Sequence, residues 1–114
     1  MGTTPANNAE DVPLDAKIRA VFDDEMDPAT IESLNPGDQL TFTLYYMVAG
    51  VPAYISGTVT YHYILGVSYA EFAPANHLSP DQDYEAVITT HAKNVDTPPV
   101  ALGCSYKWAF KTTL

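Results

Sequence analysis

An all-β fold of the sandwich or small-barrel kind is the class this sequence predicts, and three observations predict it. Short runs alternate apolar and polar side chains with period two, the repeat of a strand that buries one face. Turn chemistry separates these runs at short intervals, and nine prolines punctuate the chain. Thr, Val, Tyr, Phe and Ile, which suit a pleated half-buried surface, are plentiful. No long helical period, internal repeat or low-complexity tract breaks the pattern.

The elements follow in order. "TTPANNAEDVPLDA" (3–16) is turn-rich and reads as a lead-in. In "KIRAVF" (17–22), Ile18, Ala20 and Phe22 face one way and Lys17, Arg19 and Val21 the other. "NPGD" (35–38) is a turn. "QLTFTLYYMV" (39–48) sets Leu40, Phe42, Leu44 and Tyr46 on one face, and "AGVP" (49–52) ends it. "AYISGTVTYHYIL" (53–65) is a long β-rich run with Val59, Tyr61 and Tyr63 aligned, and Gly57 marks a bulge or strand junction within it.

"VSYAEFAP" (67–74) turns Ala70 and Phe72 inward, and "ANHLSPDQD" (75–83) is a link whose Leu78 plugs the core. "YEAVITTHA" (84–92) and "SYKWAFKT" (105–112) complete the set. In the last, Tyr106, Trp108 and Phe110 alternate with Lys107, Ala109 and Lys111, the clearest period of two in the chain. The inward aromatics are expected to be Phe22, Phe42, Phe72, Tyr84, Trp108 and Phe110.

A length of 114 residues fits one domain that buries about two thirds of its unfolded surface. A net charge of -9 disfavours nucleic acid and anionic membrane surfaces, both of which would repel the chain. No apolar run approaches the roughly 18 residues of a membrane span, so direct membrane insertion is not expected. Cys104 is the single cysteine, which excludes an internal disulfide, and it reads as a small buried hydrophobe. The chain reads as one domain over 1–114, excised from a longer multidomain protein, with residues 1–2 a remnant of expression.

The acidic stretch "VFDDEMDPATIES" (21–33) admits three uses. As a helix–loop–helix calcium loop starting at Asp23 it fails, because Pro28 stands where glycine is needed and Leu34 where a bidentate Glu is needed. A different calcium geometry would use Asp23, Asp24 or Asp27 with a distant loop, and calcium is the one cofactor the sequence leaves open. The second use is structural. Asp27 is a good N-cap, Pro28 suits the first helical position, and a short helical turn near 28–33 can pack Ile31 and Leu34 on the sheet. The third is an acid–base pair across a cleft, whose separation a sequence does not give.

His62, His77 and His91 lack metal-ligand spacing and read as ordinary histidines, with His62 and His91 on the outer face. Tyr45, Tyr54, Tyr63 and Tyr69 exceed what the core requires. They are either strand formers on a solvated face or a platform for a cell-surface glycan or protein.

These stretches together resemble a known family. "PANNAEDVPLDAKIRAVFDDEMDPATI" (5–31), "SGTVTY" (56–61), "YAEFAPANHLSPDQDYEAVITT" (69–90) and "YKWAFKTT" (106–113) resemble, in order, the elements of bacterial immunoglobulin-like domains of the S-layer-protein type. The resemblance implies a Greek-key Ig-like sandwich of about seven strands. It also implies a spacer, stalk or assembly role beside neighbouring domains in a secreted or cell-surface bacterial protein. No catalytic residue belongs to that pattern, so none is expected here. The loop "KNVDTPPVALGCS" (93–105), with Asp96 and Gly103, is longer and richer in proline than the turn usual before the last strand. Two functions follow as expectations: a non-enzymatic structural module, or a carbohydrate-binding or adhesive module that uses surface tyrosines with or without calcium.

Overall fold

Two sheets face one another across an apolar interior in the computed structural model, which describes residues 2–32, 41–90 and 92–114. The described strands are β1 (Gly2–Thr4), β2 (Ala9–Val12), β3 (Ile18–Phe22), β4 (Phe42–Val48), β5 (Val51–Tyr54), β6 (Gly57–Ile64), β7 (Val67–Pro74), β8 (Asp83–Ile88) and β9 (Tyr106–Thr112). A short helix, α1 (Pro28–Ile31), follows β3. One sheet has the order β1-β3-β7-β6 and the other β2-β9-β8-β4-β5. Every pairing is antiparallel except that of β2 with β9.

The turn-rich lead-in is therefore corrected: it carries two strands. Pro5 lacks an N–H, and Asn8 takes the left-handed conformation at φ 66, so the chain bends between Thr4 and Ala9. The two halves consequently join different sheets. Gly2–Thr4 pairs with β3, while Ala9–Val12 pairs with β9. This split, together with the extra hairpin strand β5, raises the described strands above the number the resemblance implies.

Hairpins β4–β5 and β6–β7 close through Ala49-Gly50 and Leu65-Gly66. Their φ values, 51 and 81 in both, are those of a type I′ turn, whose twist matches the flanking strands. "AGVP" thus reverses the chain rather than ending the strand region. Gly57 is the junction expected of it. It opens β6 just after the chain crosses between sheets, and a Cβ there would stand 2.6 Å from the Ala73 carbonyl oxygen and from the Phe72 ring. The "NPGD" turn, Leu34, Leu40 and His91 lie outside the described residues.

The interior is the one the alternation predicts. Phe22, Phe42, Phe72, Tyr84, Trp108 and Phe110 are all buried, with Ile18, Leu44, Val59, Ile88 and the plug Leu78. Phe42 ties the sheets together, its ring 5.7 Å from that of Phe72 in β7 and 5.9 Å from Trp108 in β9. Helix α1 forms as its chemistry dictates. Asp27 Oδ1 accepts from the Ala29 N–H at 3.0 Å, Pro28 begins the helix, and Ile31 is buried.

The molecule measures 46 × 28 × 23 Å. Five strands side by side span about 24 Å and two sheets stack about 10 Å apart, so the long dimension runs along the strands. Gly2 pairs with Val21, which pairs with Tyr69, placing the start of β1 at the end that holds the β6–β7 turn. Thr112 meets Gln82 and Ser79, and Thr113 donates to the Val12 carbonyl, at the opposite end.

Candidate functional site

The acidic stretch is built into the fold. Asp24 accepts from the Glu25 N–H at 2.9 Å and from Asn94 Nδ2 at 3.0 Å, while Asp27 caps α1. Asp23 stands exposed beyond the end of β3. Among the described residues no group of three or more His, Cys, Asp or Glu is placed to hold a metal ion.

What organises the 93–105 loop is Asn94, a residue that sequence reasoning missed. It is 8% exposed. Its Nδ2 donates to Asp24 and Asp96, and its Oδ1 accepts from the Asp96 N–H at 3.1 Å and the Val100 N–H at 2.8 Å. The Met26–Asn94 bridge seats the loop against the acidic stretch, and the Lys93–Ala101 bridge closes the loop on itself. Cys104 is exposed rather than buried. The bend at Gly103–Cys104 carries it outward, and Leu102 packs against the core in its place.

The structure divides the four tyrosines. Tyr69 lies on the outer face of the four-stranded sheet, stacked on His62 at 4.9 Å with the Arg19 guanidinium 5.2 Å over its ring. His62 is accordingly half-buried on the outer face. Tyr63 stands exposed near the β6–β7 turn. Only Tyr45 and Tyr54 come together, as a cross-strand pair on the outer face of the five-stranded sheet, edge to face at 5.6 Å.

That pair borders an open groove of about 1030 Å³. Met47, Pro52 and Val87 supply apolar surface, Thr43 and Ser105 supply hydroxyls, and the groove continues over Ile55–Gly57 at the sheet edge. Glu85 of β8 and Lys107 of β9 line it beside Tyr45. The Tyr45 hydroxyl donates to Glu85 Oε2, and Lys107 Nζ stands 3.2 Å from that same oxygen.

The three groups tune one another. The hydrogen bond from Tyr45 holds the Glu85 carboxyl below its usual range, helped by Lys107 and opposed by burial. Burial, then Glu85, pushes the Tyr45 phenol up. Hydrogen bonding to Tyr45 and then Glu85 raises the Lys107 ammonium. At neutral pH the cluster is a carboxylate, a neutral phenol and an ammonium held in fixed relation on rigid strands.

The comparisons with known proteins bear on the whole chain. A family model described as a bacterial Ig-like domain matches residues 1–112. A search of curated proteins returns no match. Among solved structures, the crystal structure of the N-terminal part of the bacterial S-layer protein SbsC is similar, with a TM-score of 0.60 and 13% identity. That similarity covers 99% of this chain and 23% of that one, and at this identity it shows the fold alone.

Proposed function

The chain belongs to the bacterial Ig-like domain family, and on that premise we propose that it is a non-catalytic structural module, a spacer, stalk or assembly domain of a secreted or cell-surface protein. Its partners on this reading are the neighbouring domains of the parent chain. The observation that carries the reading is geometric: Gly2 lies toward the β6–β7 end of the sandwich and Thr112 at the opposite end. A neighbour joined beyond either residue is held away from the other by the strands that run between those ends. The interior filled by Phe42, Phe72 and Trp108 keeps that length fixed. The likeness to the S-layer structure supports the same architecture.

Small-angle X-ray scattering on polyproteins of one, two and three directly joined copies tests this. The maximum dimension should grow in proportion to the number of copies, by more than the 28 Å width of the molecule each time. Particles that instead grow as compact globules, with copies folded side by side, would overturn the spacer reading.

A further inference from the structure

Of the four tyrosines the sequence singles out, only Tyr45 and Tyr54 meet, and they meet where a carboxylate and an ammonium are already fixed. Tyr54 is 66% exposed on the edge strand β5, an aromatic surface open to solvent. Beside it, Glu85 commits Oε2 to Tyr45 and Lys107, and Oε1 has no partner among the described residues. Lys107 Nζ has further N–H donors beyond the one directed at Glu85. An acceptor and a donor are therefore set side by side across Tyr45 from an exposed ring.

We propose that this groove on the outer face of the five-stranded sheet binds a neutral polysaccharide. A sugar ring offers an apolar C–H face and a rim of hydroxyls, each both donor and acceptor. With one unit laid on Tyr54, the next units of the chain pass over Tyr45 and can set hydroxyls against Glu85 and Lys107, one donating to Oε1 and another accepting from Nζ. Charge selects the neutral chain. The protein carries 14 acids against 5 cations, yet across β8 and β9 this face sets Asp83 and Glu85 against Lys107 and Lys111. An anionic polymer is repelled by the molecule as a whole, and a cationic one is opposed on this face by the Lys107 and Lys111 ammoniums. The groove is open rather than enclosed, and it runs from Lys107 and Glu85 to Ile55–Gly57, so a chain longer than one sugar unit can lie in it.

The site adds to the spacer reading without depending on it, because the length of the molecule does not change with the groove. The test is a ¹⁵N NMR titration of the intact protein with cellohexaose, chitohexaose and maltohexaose, and with hexagalacturonate as the anionic arm. At least one neutral hexasaccharide should give saturable shifts centred on Tyr45, Tyr54, Glu85 and Lys107. Tyr54→Ala, at an exposed edge position that leaves the core intact, should weaken binding by about fivefold, the weight of one aromatic contact. Tyr63→Ala, outside the groove, should leave it unchanged. Three outcomes overturn the proposal: no saturable shift with any neutral sugar, shifts centred on Tyr69 and His62 instead, or binding of hexagalacturonate alone.

Discussion

Trp108→Ala is the sharpest test of the packing. The side chain is 1% exposed, between Phe42 at 5.9 Å and Tyr106 at 5.7 Å, with Ala86 opposite it on β8. A buried indole removes about 200 Å² from water, or about 5 kcal/mol at roughly 25 cal/mol per Å². Alanine keeps only the Cβ, and the neighbouring rings are held by their own strands, so the void closes only in part. We expect a loss of about 4 kcal/mol, a fall in Tm of roughly 15 °C for a domain of this size. Urea melts followed by far-UV circular dichroism and the fluorescence of the eight tyrosines read it without the tryptophan.

A second substitution at the same place sharpens the reasoning. The Trp108 indole N–H finds no acceptor among the described residues. Trp108→Phe sacrifices about 1 kcal/mol of volume but removes a buried unpaired donor that costs about 1–3 kcal/mol. The phenylalanine variant should therefore match the native protein or exceed it by up to about 2 kcal/mol. An unchanged midpoint in Trp108→Ala removes Trp108 from the core. Equal losses in the two variants would mean that the indole N–H is satisfied.

Two further predictions concern the surface. Leu65 sits bare, 99% exposed, at φ 51 in a two-residue turn, so Leu65→Asn loses no packing and should raise stability by about 0.5–1 kcal/mol; a lower melting temperature refutes this. Tyr45→Phe removes the main cause of Glu85's low pKa, so carboxyl ¹³C shifts should show Glu85 titrating closer to its ordinary 4.5. Because the folded value lies below the unfolded one, this stabilisation is present above the unfolded value and lost as pH falls through the folded value. The variant should thus lose less stability on acidification, and an unaltered acid-side slope would show that the hydrogen bond is not the cause.

The interior was legible because burial on one face writes period two into a strand; Ile18, Phe22, Trp108 and Phe110 announce themselves that way. The capped turn at Asp27-Pro28 was legible because its chemistry is local. Long-range placement was not. Nothing in the spacing tells that Asn94 reaches back 70 residues to Asp24, since a lone asparagine in a proline-bearing loop carries no period. The two strands of the lead-in stayed hidden because each is too short to alternate and they serve different sheets. The tyrosines show the same limit. Alternation sends Tyr45 and Tyr69 outward, but only topology decides that they leave by opposite faces.

The one parallel pairing among the described strands has a consequence for how the molecule bears tension. A pull between neighbours would enter through β1 and leave through β9, and β2 and β9 point the same way along that line. They must then slide past each other rather than peel apart. The bonds from the Asn8 N–H to the Ala109 carbonyl, from the Ala109 N–H to Asn7 Oδ1, and from the Thr113 N–H to the Val12 carbonyl would be strained together, not opened one after another. An antiparallel seam at that place would unzip; this one resists as a unit until it fails.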